Sequence, residues 1–258
     1  MNTVIYGLGV VGRAMRELFP DSGIHDTAKG FHWLDAHRDD LAVVCVPTES
    51  TAYGACDTSI VEDTVHSTPC EYVLIKSTVP PGTTARLALE TGKHIVFSPE
   101  FLSESKYWVP PQFPQPGDAR SHGFVILGGS PEDCSVVADV LLPVLGPATR
   151  FRFMRSDEAE LVKYASNAFG ALKVTFANDL RRICEAAKVN YHTVREGWID
   201  DPRVGPMHTA AFVNARGFSG KCLPKDTLAL QRFCNSLNLR LPLLDSVLEA
   251  NQSYLRVA

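Results

Sequence analysis

Long apolar runs are missing from this sequence. Its most apolar stretches, such as Leu41–Pro47, are far shorter than the roughly 20 residues a membrane-spanning helix needs, so no transmembrane segment is expected. Met1–Gly7 lead directly into a strand-like run and leave no room for a signal peptide. A soluble cytoplasmic protein is the expectation. A surplus of basic charge is missing as well. The chain has 25 Lys and Arg against 29 Asp and Glu, a formal net charge of −4, and a pI near 6.1, which offers no broad positive field to a nucleic acid. The seven cysteines, at 45, 56, 70, 134, 184, 222 and 234, are odd in number and form no C-x-x-C pair. That argues against a disulfide framework and against a cysteine zinc site. The eight histidines are scattered, with no H-E-x-x-H, so no metal site is expected. No internal repeat or low-complexity tract is present.

What remains is an ordinary globular composition, 45% hydrophobic and 21% charged over 258 residues, enough for one large domain or two smaller ones. Short β-rich runs recur at Thr3–Tyr6, Gly23–His25, Leu41–Val46, Tyr72–Ile75, His94–Phe97, Phe124–Leu127 and Arg150–Phe153. Helical patterns at Val11–Phe19 and Pro131–Leu145 lie between some of them. Strands apolar throughout and separated by crossovers predict a parallel sheet covered on both faces, a doubly wound α/β domain. Within it, Val109-Pro-Pro-Gln-Phe-Pro-Gln-Pro-Gly117 has too many prolines for a helix or a central strand. Cys45, inside Leu41–Val46, reads as a buried small hydrophobe.

The texture changes after Arg155. Ser156 to Ala187 contain no proline, and Leu161, Tyr164, Ala165, Ala168, Phe169, Leu172, Phe176, Leu180, Ile183 and Cys184 recur at helical spacing. One helix of about 30 residues, about 45 Å long, is predicted, with Ser156 capping it and Asp157, Glu158 and Glu160 in its first turn. Two more helices are predicted near Pro224–Leu237 and Pro242–Tyr254. The expected division is a dinucleotide-binding domain over 1–155 and a helical domain over 156–258.

Thr3-Val-Ile-Tyr-Gly-Leu-Gly-Val-Val-Gly12 is a strand running into G-x-G-x-x-G and then a helix, the Rossmann-like arrangement for a dinucleotide. Gly7 permits the tight turn, Gly9 lets the backbone approach a pyrophosphate, and Gly12 allows close helix–strand packing. Val10 and Val11 begin the helix whose N-terminus offers amides to the phosphates. Asp26 follows the second strand; there a carboxylate accepts bonds from ribose hydroxyls and repels a 2′-phosphate, which favours NAD over NADP. The plainer reading of Asp26 is a strand-end turn residue, and His25 reads as its incidental neighbour.

Four further segments resemble the UDP-glucose/GDP-mannose dehydrogenase family. They are Lys76-Ser-Thr-Val-Pro-Pro-Gly-Thr83, Ser98-Pro-Glu-Phe-Leu-Ser-Glu-Ser105, Glu160-Leu-Val-Lys-Tyr-Ala-Ser-Asn-Ala-Phe169 and Gly217-Phe-Ser-Gly-Lys-Cys-Leu-Pro-Lys-Asp226. They occur in the family's order and, with the glycine fingerprint, span nearly the whole chain. The resemblance implies a four-electron oxidation of a sugar C6 alcohol to a carboxylate with two NAD molecules, through a cysteine thiohemiacetal and thioester.

Residue by residue, the resemblance makes Cys222 the nucleophile. Local chemistry agrees: a helix opened by Pro224 places the thiol near a helix N-terminus, with Lys221 and Lys225 close in sequence, an environment that favours a thiolate. Asp226, four residues on, matches a residue that activates water together with a lysine. Lys163 matches an oxyanion stabiliser and proton-handling group, and Asn167, one turn later, a substrate or water ligand. Thr78 matches a contact to catalytic water or the nicotinamide side. Glu100 matches the acid of thioester hydrolysis, and Glu104 a second acid near sugar and nicotinamide. Val46, Pro47 and Thr48 are expected on the cofactor. Phe101, Leu102, Ser103, Gly217, Phe218 and Gly220 are expected around the sugar. Arg203, in Asp201-Pro-Arg-Val-Gly205, matches an arginine reaching into a neighbouring subunit, so a homodimer with the long helix as its spine is expected.

Three features depart from the family pattern. The chain ends at Ala258 without a second α/β unit for the nucleotide, the stretch from Asp26 to Thr48 is short, and Ser219 and Lys221 stand where small residues are commoner. Three explanations are compatible with the first: a differently held substrate, a second polypeptide or dimer mate supplying the surface, or a shortened form of a longer chain. Two rival activities also stay open. One is a two-electron dehydrogenase of another hydroxyl substrate; the other is a non-catalytic NAD- or nucleotide-sugar-binding regulator.

Overall fold

The structure is a computed structural model that describes residues 1–33, 35–102 and 117–256. Seven strands form one sheet: β1 (Thr3–Tyr6), β2 (Gly23–His25), β3 (Leu41–Val44), β4 (Tyr72–Ile75), β5 (His94–Phe97), β6 (Phe124–Gly128) and β7 (Arg150–Met154). Eight helices are described: α1 (Val10–Leu18), α2 (Ser59–Ser67), α3 (Thr83–Thr91), α4 (Pro131–Leu145), α5 (Ser156–Ala187), α6 (Tyr191–Ile199), α7 (Leu223–Ser236) and α8 (Pro242–Leu255). Among the described residues none is long and apolar enough to cross a membrane. The described residues fall into two compact units, 1–51, 56–102 and 117–163 in the first, 52–55 and 164–256 in the second.

The first unit is the expected Rossmann-like α/β sheet, with strand order β2-β1-β3-β4-β5-β6-β7. Strands β1 to β5 run parallel. Their side chains alternate between two cores, because successive residues of a strand point to opposite faces. Val4, Tyr6, Ala42, Val44, Val73, Ile75, Ile95 and Phe97 pack with Val61, Val65 and Leu87. Ile5, Leu41, Val43, Cys45, Leu74, Val96 and Leu127 pack on the opposite face with Met15, Leu18, Val137 and Leu141. Two-sided burial is why the strands read as continuous apolar runs rather than alternating ones.

The sheet departs from an all-parallel one at a single point. Strand β6 meets β5 antiparallel through Phe97 and Gly128, and β7 runs parallel to β6. An antiparallel neighbour needs no crossover helix, and an apolar run carries no mark of its direction.

Helix starts follow local chemistry. Ser130 caps α4, accepting the Asp133 amide at 3.0 Å with Pro131 next in line. Asn190 caps α6 through the amides of His192 and Thr193. The long helix α5 runs 32 residues from Ser156, close to the predicted span. Ser156 is its first helical residue rather than its cap. Instead the Glu158 carboxylate accepts the Arg155 amide at 2.9 Å, and Glu160 turns inward to full burial. The start of α5 lies close over β6, where a methyl group on Gly128 would stand 2.5 Å from Cβ of Ala159. In the second unit, Ala171 of α5, Phe218 and Val247 of α8 form one small core, and Ala177, Cys184, Tyr191 and Ala211 form another.

Gly128→Ala should therefore cost about 1–3 kcal/mol of stability through overpacking, measurable by urea denaturation. An unchanged midpoint would mean that this helix–strand approach is slack.

Candidate active site

The edge where β1, β2 and β3 end carries the expected dinucleotide residues. Gly7 has φ 88°, in the left-handed region, and a side chain there would stand 2.7 Å from the Cys45 carbonyl oxygen. The turn after β1 thus passes directly over the end of β3, at the point where the strand order reverses, the usual place for a ligand in such sheets. Gly12 packs onto the Gly7 carbonyl. Gly9, the residue preceding α1, faces open space. Val10 and Val11 open α1, Val11 against the core. Two closed glycines and one open one make the cradle a pyrophosphate requires, with the amides and positive end of α1 beside it. The Asp26 carboxylate accepts the Leu8 amide at 2.7 Å and the Lys29 amide at 3.2 Å. It is fixed beside the glycine turn, with the Lys29 ammonium 3.6 Å away. Val46 and Thr48 are largely or wholly buried after β3, and Pro47 is exposed. The Val46 carbonyl accepts the Ser77 hydroxyl at 2.7 Å. These residues fit a dinucleotide.

The ends of β4 and β5 bring Glu100 and Lys163 together. The Lys163 ammonium, on α5, donates to the Glu100 backbone carbonyl and lies 5.9 Å from the centroid of the Phe101 ring. The Glu100 carboxylate accepts the Leu102 amide. It also lies 3.8 Å from the ammonium of Lys76, both side chains being largely buried, and Lys76 in turn donates to the Ser98 hydroxyl at 3.1 Å. Lys76 is the member of this cluster to which sequence reasoning gave no role, although it opens one of the matched segments. Thr78 is half-buried two residues on; its carbonyl accepts the Cys56 thiol at 3.4 Å. Ser103 and Glu104 lie outside the described residues.

In the second unit Cys222 occupies the position before the first residue of α7, so its thiol stands at the positive end of that helix. The Asp226 amide donates to the Cys222 carbonyl at 2.9 Å, which puts the two residues one turn apart as expected. Asp226 is buried, and its carboxylate accepts Asn167 Nδ2 at 2.5 Å and the Lys225 ammonium at 2.6 Å. Lys225, predicted as a neighbour of the thiol, is thus committed to Asp226. Lys221 is exposed. All seven cysteines are free, and Cys222 alone among them is exposed. Burial pushes the Cys45 thiol up to about 12 and the Cys134 thiol up to about 11, far from the thiolate form at neutral pH.

The loop before Cys222 is built around Asn251, which sequence reasoning missed. Its side chain accepts the Phe218 amide at 2.6 Å and donates to the Phe218 carbonyl at 2.9 Å. The Phe218 ring is buried in the small core of α5 and α8, and Gly217 lies against Asn251. Gly220 is exposed with open space around it. Arg203 points to solvent, 88% exposed, and is held by Asp201 through Nε at 2.9 Å and Nη2 at 2.6 Å. Its loop is anchored by Lys173, whose ammonium donates to the carbonyls of Val204 at 2.9 Å and Gly205 at 2.6 Å.

Residues 157–253 match the UDP-glucose/GDP-mannose dehydrogenase family, central domain. The UDP-glucose 6-dehydrogenase of Rickettsia typhi is 29% identical over 229 residues, which are 84% of this chain and 50% of that protein. The UDP-glucose 6-dehydrogenase AglM of Haloferax volcanii is 30% identical over 235 residues, 82% of this chain and 52% of that protein. The chain spans about half the length of these relatives. Among solved structures, a UDP-glucose dehydrogenase from Pyrobaculum islandicum superposes with a TM-score of 0.76 at 26% identity, covering 98% of this chain and 68% of that one.

Removing the buried carboxylate with Asp226→Ala should cost about 1–3 kcal/mol, because Asn167 and Lys225 lose their acceptor inside the protein. Chemical denaturation measures this, and a variant as stable as the wild type would mean that the three groups are not coupled.

Proposed function

Because this chain carries the central domain of the UDP-glucose/GDP-mannose dehydrogenase family, we propose that it oxidises the primary alcohol of a UDP-glucose-like nucleotide sugar to the carboxylate, with NAD as acceptor and Cys222 as nucleophile. The observation that carries this reading is the single exposed cysteine among seven, set at the head of α7 one turn before a buried, doubly held aspartate. A binding module has no need of such a thiol.

The cofactor is held by Gly7, Gly9, Val10, Val11 and Gly12, with Asp26 on the adenosine ribose and Val46, Pro47, Thr48, Thr78 and Glu104 completing its surroundings. When bound, NAD accepts a hydride in each of the two oxidations. The Cys222 thiolate adds to the carbon of the intermediate aldehyde, forming a C–S bond and a thiohemiacetal. Oxidation of that carbon leaves a thioester, and attack by water breaks the C–S bond, releasing carboxylate and returning the sulfur as thiolate. Lys163 offsets negative charge on the reacting oxygen and handles its proton. Asn167 and Asp226 act as a unit on substrate and water, a role favoured by the bond between them. Glu100 positions the hydrolytic water, its carboxylate oriented by Lys76 and the Leu102 amide. Phe101, Leu102, Ser103, Gly217, Phe218 and Gly220 border the sugar. Phe218 does so from a fixed backbone, since its ring is buried.

We assign cofactor binding to residues 1–155 and the cysteine-bearing half to 156–258, and place the protein in the cytoplasm. A homodimer fits the surface of α5. Phe169, Phe176 and Ile183 recur every seven residues along it and remain exposed, the spacing of a stripe that packs on a second helix. Arg203, exposed and aimed by Asp201, is then available to a neighbouring subunit.

With a nucleotide sugar of this class, two NADH should form per acid produced. Cys222→Ser should lower acid formation about a thousandfold or more while leaving NAD binding nearly intact. Turnover unchanged in that variant would remove the covalent route, one NADH per substrate would point to a simple alcohol dehydrogenase, and equal turnover with NADP would remove Asp26 from its role. Ile183→Glu should shift the protein toward monomer in sedimentation; a wild-type chain already monomeric at micromolar concentration would exclude the dimer.

A further inference from the structure

Glu160 is fully buried, yet among the described residues it has no cationic partner. Its carboxylate instead accepts two backbone amides, Gly82 at 2.6 Å and Thr84 at 2.8 Å. Those amides belong to the start of α3, which has no side-chain cap of its own. The cap is supplied by a residue 76 to 78 positions away in sequence. An anion at a helix N-terminus, taking two N–H bonds away from water, is a strong directional tie. It joins the turn that follows Thr78 to α5, one turn before Lys163. Lys163 in turn holds the carbonyl of Glu100.

We propose that Glu160 is a positioning residue for the oxidation: its ionised carboxylate fixes the Thr78 turn to the helix that presents Lys163, and loss of its charge loosens both. This rests on the dehydrogenase reading and extends it to a residue outside the reacting set. A carboxylate accepts both amides at once. A protonated carboxyl makes one oxygen a hydroxyl, a poorer acceptor that carries a proton of its own, so one of the two bonds is weakened.

The groups around Glu160 leave its charge poorly compensated. Asp157 stands on the same helix, and Arg155 before it is already paired with Asp157. Asp133 of α4, which lines the cavity shared with Gly82, Thr84 and Arg155, is paired with the His94 ring at 2.7 Å, and the first turn of α3 carries no acid. Burial, reinforced by Asp157, outweighs the interactions with the Thr84 side chain and with the Thr84 and Gly82 amides, and pushes the Glu160 carboxyl up to about 7. The tie is therefore made above that pH and weakened as pH falls through it. Global stability moves the other way. The folded chain takes up a proton between the ordinary 4.5 and about 7, so this group favours folding at the acid end of that window, and the contribution is lost as pH rises. A merely structural role would make activity follow stability; a positioning role makes the two diverge.

The test follows the Gly82 and Thr84 amides by ¹⁵N NMR in the full chain, together with the pH dependence of kcat. The wild-type amides should shift with one midpoint near pH 7, and kcat should fall below it. In Glu160→Gln those shifts should vanish, kcat should be about tenfold lower and flat through the window, and KM should stay within about twofold. Wild-type amides that do not move between about pH 5.5 and 8 would overturn the proposal, as would a Glu160→Gln profile that keeps the wild-type shape. Should Glu160→Gln fail to fold, the wild-type titration decides alone. Should no nucleotide sugar be oxidised, the dehydrogenase reading fails while the amide titration still shows whether Glu160 makes and breaks the tie.

Discussion

Five parallel strands buried on both faces can offer chemistry only where they end, and that constraint organises the first unit. Strands β1 to β5 share one direction, so their C-terminal ends lie along one edge of the sheet. Gly7 and Gly9 follow β1, Asp26 follows β2, Val46 to Thr48 follow β3, Lys76 and Thr78 follow β4, and Ser98 and Glu100 follow β5. Every described residue of this unit given a role in binding or reaction sits in one of those turns or on α1 or α5. The strands themselves are filled with aliphatic side chains that seal both faces.

The second unit solves a different problem, the presentation of one thiol out of seven. Five cysteines are buried and behave as small hydrophobes, and Cys56 is half-buried. Cys222 lies at the surface, and in the loop before it Asn251 holds both backbone groups of Phe218. Asp226 is then delivered by the helix itself, one turn on, to Asn167 and Lys225.

Most of the fold was legible in the sequence because its signals are local. The strand runs, the glycine turn and the proline-free stretch of α5 each depend on residues within a few positions of one another. What was not legible depends on distant pairs. Nothing local marks Glu160 as a buried cap for a helix that starts at Thr83, Lys76 as the partner of Glu100, or Asn251 as the clamp on Phe218. Glu160 read as one of three acids in the first turn of α5, and only packing decides which one turns inward. Strand β6 looked like one more parallel strand because apolar runs carry no direction.

The central claim is that the oxidised sugar carbon is bonded to Cys222 before it leaves as an acid, and acid-quench mass spectrometry of the full chain during turnover addresses it directly. With a nucleotide sugar and NAD, the peptide containing Cys222 should carry the mass of the sugar acyl group, labile to hydroxylamine as a thioester is. Steady acid production with that peptide unmodified at every quench time, and with the adduct absent even when hydrolysis is slowed by Glu100→Gln, would contradict the account.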